Sequence, residues 1–193
     1  MGKRKDYLIK ISLVAVLAAL GFVLDRFLSV NTQAIKINLA FVPAAFAAIL
    51  IGPAAGAAVW AIADLAGAIL LPFGPYHPGF TVCAALMGAI YGLFLNSDPV
   101  NIDIKVKTRR FTLSVKNRKI RRFPNVIIPV LINCVIIGLF INTAWVSMLY
   151  GKYTYWGWFT VRLLEYAILV PVQIAVIPVL SDLSERIKKQ LGF

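Results

Sequence analysis

Arg162 and Glu165 stand three residues apart in an almost wholly apolar run, 157–180. Asp64 sits inside another such run, 54–73, and Asp25 and Arg26 near the end of a third, 7–30. Ionisable groups in such surroundings are expensive, so each is a candidate for function. Their types suit binding. Arg26 and Arg162 can hold carboxylates, bidentately where geometry allows. Asp64 can accept hydrogen bonds from ring or amino N–H groups. Asn142 and Trp145, three apart and so on one helical face, add an amide and an indole. Tyr76, His77 and Phe80, in or beside a connection rich in proline and glycine, add aromatic rings, and Trp145, Tyr76 and Phe80 can stack on a flat ligand. Such a set fits a small amphipathic ligand with an aromatic part and an anionic part.

Nothing in the chain points to bond-breaking. It has no Gly-x-x-x-x-Gly-Lys-Ser/Thr phosphate loop and no Ser/His/Asp set. His77 is the single histidine, so a metal site is not expected, and neither is a cofactor. Uphill movement of a ligand would need energy from another subunit or an ion gradient. Each polar residue also has a plainer use. Asp25 and Arg26 can snorkel to an interface. Arg162 and Glu165 can pair only with each other, and Asp64 can pair with an arginine to hold helices together. Aromatic residues over 150–158 suit an interfacial belt.

The elements that must position these residues follow from composition. Of 193 residues, 60% are hydrophobic and 15% charged, against about half and about a quarter in soluble domains. Soluble enzyme, disordered chain, disulfide scaffold and collagen are poor readings. The chain reads as an all-α integral membrane protein. Six apolar stretches cover 7–30, 37–51, 54–73, 79–95, 126–149 and 157–180. A crossing needs about 20 residues, so the second is short. Gly52-Pro53, Pro72, Gly74-Pro75, Pro78-Gly79, Gly151 and Gly157 punctuate the breaks. The first run is too long for a signal peptide and lacks a convincing cleavage site. Cys83 and Cys134, inside apolar runs, read as buried thiols.

Charge sets the orientation. The net charge is +12, and most of the 20 Lys and Arg cluster in the first ten residues, over 101–122, and near the end. Six crossings put these three places on one side, and the positive-inside rule makes it the cytoplasm, with both termini there. The chain thus reads as a single six-helix membrane domain, 1–193, with a basic cytoplasmic insertion over 97–123. Ile102, Ile104 and Val106, then Phe111, Leu113 and Val115, alternate with polar residues. That period suggests a small β-hairpin turning near 108–110; the alternative is a solvated basic linker drawn to anionic lipid. Nucleic acid is a remote reading. The polar candidates fall between mid-depth and the outer surface, so a pocket open outward and closed below is expected. Ala15 and Ala19 form a small-residue patch that another helix can approach closely.

At these residues the chain resembles a known family. The strings Leu24-Asp-Arg-Phe-Leu-Ser-Val30, Gly52-Pro53, Ala63-Asp64-Leu65-Ala-Gly67, Pro72-Phe-Gly-Pro-Tyr-His-Pro-Gly-Phe-Thr81 and Ile90-Tyr-Gly-Leu-Phe94 are similar to those of the folate-type substrate-binding (S) components of energy-coupling factor (ECF) transporters. Asn142-Thr-x-Trp145 and Arg162, with Pro171-x-Gln173 beyond it, match too. The resemblance implies a six-helix protein of the bacterial plasma membrane that captures a vitamin outside. It would topple to release it inside, docked through Ala15 and Ala19 on a transmembrane coupling subunit that carries two ATPases. Arg26, Asp64, Tyr76, His77, Phe80, Asn142, Trp145 and Arg162 would line the pocket. Glu165 stands where the family often has a lysine, Asp25 where a small residue is usual, and the basic loop is longer than typical. The missing cation leaves a less acidic relative of folate, or another vitamin, as alternative substrates. A rival of another class is a small membrane scaffold that binds partners through its basic and alanine-rich faces.

Overall fold

The computed structural model describes residues 2–31, 36–96, 100–106, 109–115, 123–151 and 155–191. Helix α1 spans Gly2–Arg26, α2 Phe41–Leu50, α3 Pro53–Leu70 and α4 Pro78–Leu95. A long helical stretch then runs as α5 Phe123–Leu131, a π-helix over Ile132–Ile141, and α6 Asn142–Tyr150. Helix α7, Tyr155–Leu191, follows. Strands β1 Val30–Asn31 and β2 Lys36–Ile37 pair antiparallel, as do β3 Val100–Val106 and β4 Arg109–Val115.

The helix ends follow local chemistry. Gly52 has φ +130°, a conformation only glycine adopts without strain, and Pro53 opens α3 directly after it. His77 caps α4 by accepting the Gly79 N–H at Nδ1, 3.0 Å, with Pro78 in the first turn. Asn38 Oδ1 accepts the Ala40 N–H at 3.1 Å. That local turn holds the chain out of the helix until Phe41, so α2 has ten residues and the stretch expected over 37–51 is shortened.

Among the described residues, five helical spans are long and apolar enough to cross a membrane: Asp6–Arg26, Pro53–Leu70, Pro78–Leu95, Asn125–Tyr150 and Tyr155–Gln190. Ten residues reach only about 15 Å, half of a hydrocarbon core of about 30 Å, so α2 does not cross by its own length. Instead it is a core helix. Phe41, Pro43, Ala44, Ala45, Ala47, Ala48, Ile49 and Leu50 are all buried, against α1, α3, α4 and α7. A helix apolar on every side belongs in such a place. In the basic segment, Val106 pairs with Arg109, so Arg109 and Arg110, expected in the turn, belong to β4. Residues 97–99, 107–108 and 116–122 of that segment lie outside the described residues.

The core has two main parts. Ile49, Tyr91, Leu95, Val130 and Ile177 meet between α2, α4, α5 and α7. Leu17 and Ala18 of α1 pack on Ala44, Ala47, Ala55 and Val59. Ala15 and Ala19 are exposed on another face of α1, beside the exposed Val16 and Leu20. The closest approach is between α3 and α4. A Cβ on Gly88 would run into the Gly56 carbonyl, and one on Gly92 into Pro53. Small residues permit this contact, which draws the walls of the cavity described below together. Gly88→Val is expected to destabilise the detergent-solubilised protein by about 3 kcal/mol or more, since overpacking here meets backbone. Thermal unfolding measures it, and an unaltered transition would mean that the helices have room to part.

Candidate functional site

A cavity of about 490 Å³ lies among α1, α2, α3, α4, the π-helix, α6 and α7, with the exposed residues Pro72, Phe73, Gly74, Pro75 and Tyr76 along its rim. Sites for small ligands run from about 300 to 1,000 Å³. Three clusters of polar side chains line it.

The first is at the end of α1. Asp25 is buried, and its Oδ2 lies 3.3 Å from Arg26 Nε. Asn38 Nδ2 donates to Asp25 Oδ1 at 2.7 Å. The Arg26 guanidinium lies across Gly67, where any Cβ would collide with it, and 4.6 Å from the Phe73 ring centroid. Its side chain is 6% exposed, so it is packed into the wall rather than snorkelling to an interface. The second cluster joins α3 to α4. Thr81 Oγ1 donates to Asp64 Oδ2 at 2.6 Å, and Tyr76 Oη lies 2.8 Å from Thr81 Oγ1. Asp64 therefore keeps an oxygen for other donors.

The third cluster is on α7. Arg162 and Glu165 are both buried, with Nε and Oε2 3.5 Å apart. Arg162 Nη2 donates to Tyr166 Oη at 3.0 Å. The Tyr166 ring fits only because residue 138 is glycine; a Cβ there would meet the ring at 2.5 Å. Arg162 Nε and Nη1 have no hydrogen-bond partner among the described residues, so two donors remain for a ligand acceptor. Deeper still, Gln173 Oε1 accepts from Tyr91 Oη at 2.6 Å and Cys134 Sγ at 3.3 Å. Tyr91 stacks on Trp60, centroids 6.0 Å apart and planes within 5°. Cys83 and Cys134 are buried free thiols.

Of the candidates read from the sequence, Arg26, Asp64, Tyr76, Phe80, Asn142, Arg162 and Glu165 line this one cavity. His77 and Trp145 are not in its lining; they stack on each other, centroids 4.6 Å apart, with Trp145 against Gly79. The shared face expected for Asn142 and Trp145 thus divides, because the indole is taken up by the cap of α4. Trp60, Phe73, Tyr91, Asn133 and Gln173 also line the cavity without having been singled out as candidates. Trp60 lies four residues before Asp64 on the same face of α3, a spacing that could have found it. Asn133 is an amide in an apolar run, which carries the same warning as a charge. Gln173 lies about 27 Å along α7 from Tyr155, so polar lining reaches deeper than the expected outer-half distribution. Three carboxylates (Asp25, Asp64, Glu165) and two guanidiniums (Arg26, Arg162) line the wall. Fully ionised, they leave it one negative charge in excess.

Comparison with known proteins agrees with this geometry. Residues 6–181 match the family described as "ECF-type riboflavin transporter, S component". The folate transporter FolT of Clostridium novyi is 34% identical over 164 residues, covering 85% of this chain and 83% of that protein. The folate transporter FolT of Leuconostoc mesenteroides is 30% identical over 169 residues, covering 85% and 80%. A crystal structure of FolT bound with folic acid superposes with a TM-score of 0.71 at 29% identity, covering 89% of this chain and 90% of that one. With the match running through nearly every helix that lines the cavity, the chain belongs to the FolT-like S components of ECF-type transporters.

Proposed function

We propose that this protein captures folate, or a related pterin-containing vitamin, outside the bacterial plasma membrane and delivers it inward, with ATP hydrolysis in partner subunits. The observation that carries this is the pair of buried arginines, Arg26 and Arg162, in the wall of an aromatic-lined cavity. Folate has a flat pterin at one end and two carboxylates at the other. Trp60, Phe73, Tyr76 and Phe80 offer ring faces, Asp64 accepts ring or amino N–H, and the guanidiniums donate to the carboxylates. The names of the relatives in Clostridium and Leuconostoc point the same way.

In this reading the chain passes the membrane six times, with the short α2 completing its passage inside protein rather than lipid. The clustered basic residues place both termini and the 97–123 segment in the cytoplasm, and the 72–76 rim faces outward. Ala15 and Ala19, exposed on α1, are the contact for a transmembrane coupling subunit, EcfT-like, which brings two ATPase subunits. The ligand is carried unchanged. A second reading is an S component for a less acidic heterocycle such as riboflavin. The excess carboxylate on the wall favours it, as does the description of the matching family.

Tryptophan fluorescence separates the two. Folate is expected to quench saturably, and Arg162→Ala to weaken it by about 10- to 100-fold, the worth of a charge-assisted hydrogen bond. Saturation by riboflavin but not folate would replace the substrate; loss of neither on Arg162→Ala would remove the arginine from the site. Glu165 competes with a ligand carboxylate for Arg162. Glu165→Gln is therefore expected to tighten folate about tenfold, in the range of one charged hydrogen bond, and to leave riboflavin unchanged. Weaker folate binding in that variant would show that Glu165 itself holds the ligand. Ala15→Trp with Ala19→Trp is expected to leave folate affinity intact while abolishing uptake by cells that supply the partner subunits. Undiminished uptake would move the coupling contact elsewhere.

A further inference from the structure

Strands β3 and β4 belong to the basic segment, which ligand capture does not use. Their antiparallel register sets Val100 opposite Val115, Ile102 opposite Leu113 and Ile104 opposite Phe111. The pairs between and beside these are Asn101 with Ser114, Asp103 with Thr112 and Lys105 with Arg110. Successive residues of a strand belong to opposite faces of the sheet, and directly paired residues share one. The ladder therefore has an apolar face over the first six positions and a polar face over the second six. A two-stranded hairpin is marginal in water and gains stability when its apolar face has something to pack on. Among the described residues no helix packs along either strand, so the described helices do not supply that surface.

Charge and reach name it. Between 100 and 122 stand nine Lys and Arg against one acid, Asp103. Four of the nine lie about the turn, over 105–110, and five after β4, over 116–122. Both ends of the hairpin are tied to helices of the membrane domain. Five residue steps join Leu95 of α4 to Val100, and eight join Val115 to Phe123 of α5, reaches of at most about 18 Å and about 29 Å. The tether holds the hairpin at the membrane surface at high effective concentration, so little association entropy remains to be overcome. A headgroup layer containing anionic lipid meets both features at once, with phosphates for the Lys and Arg and the edge of the hydrocarbon for the apolar face. Nucleic acid would satisfy the cations and leave the aliphatic face in water.

We propose that the β3–β4 hairpin is a lipid-surface anchor. Its apolar face lies in the headgroup boundary of the membrane that the chain itself spans, drawn there by anionic lipid through the Lys and Arg at the turn and after β4. The assignment is independent of the ligand. Full-length protein in phosphatidylcholine vesicles, with and without phosphatidylglycerol in both leaflets, tests it. A single polarity-sensitive label is placed at Ile104→Cys or, on the other face, at Thr112→Cys; Cys83 and Cys134 are buried, and wild-type protein taken through the same labelling is the blank. Quenching of the Ile104→Cys label by bromine-carrying lipid is expected to rise at least about twofold when phosphatidylglycerol is present, with a blue shift in emission. The Thr112→Cys label is expected to stay in water in both vesicles. Thermal unfolding matched to wild type checks that the variants are folded. Equal quenching at the two positions overturns the assignment of the face. Quenching at Ile104→Cys that ignores phosphatidylglycerol overturns the role of the Lys and Arg. No quenching in either vesicle overturns the anchor itself and leaves the face to a protein partner.

Discussion

A guanidinium enclosed in a membrane protein must be neutralised where it stands, and this cavity is built around meeting that need twice. Breaking a buried ion pair by removing one partner is costly because the other charge is then stranded. Asp25 and Glu165 are the nearest counter-charges, each on the helix that carries its arginine. Neighbouring elements then hold each pair in place. Asn38 fixes Asp25 from the segment before α2, Gly67 of α3 gives Arg26 a surface to lie on, and Tyr166 orients Arg162 through a slot that Gly138 leaves open. Three other segments, the one before α2, α3 and the π-helix, are thus committed to two side chains. The arrangement leaves Arg162 with donors unused and its charge balanced, a state that accepts a carboxylate without requiring one.

Helix α1 presents two different surfaces. Its end supplies Asp25 and Arg26 to the cavity, while Leu17 and Ala18 fasten it to α2 and α3. Ala15 and Ala19 face away from that core. About 16 Å of continuous helix separates Ala15 from Arg26. An element of that length joins the cavity wall to the face proposed above for coupling.

Much of the helical layout was legible because apolar runs and Gly/Pro punctuation coincide. The runs 54–73, 79–95 and 157–180 lie largely or wholly within α3, α4 and α7. Helix α7 continues past its run to Leu191 because Ser181 and Ser184 turn inward and are buried, which polarity alone argues against. Helix α2 was the weakest element in the sequence, and it proved a core helix whose apolar residues serve packing on all sides. The π-helix left no trace in composition: an apolar run reads the same at either period, and only the side chains it brings into line, Asn133 and Asn142, distinguish them. The charged lining was legible because charges in apolar runs demand a reason. Trp60 and Tyr91 were not, since an aromatic in such a run is core by default. His77 and Trp145 lie outside the cavity lining, their rings stacked on each other at the start of α4, where His77 Nδ1 accepts the Gly79 N–H.

The most direct test is a structure of the purified protein with folate bound. The result expected is one folate per chain inside the cavity, its carboxylates held by the buried arginines. An empty cavity at saturating folate, or folate held anywhere else on the protein, would contradict it.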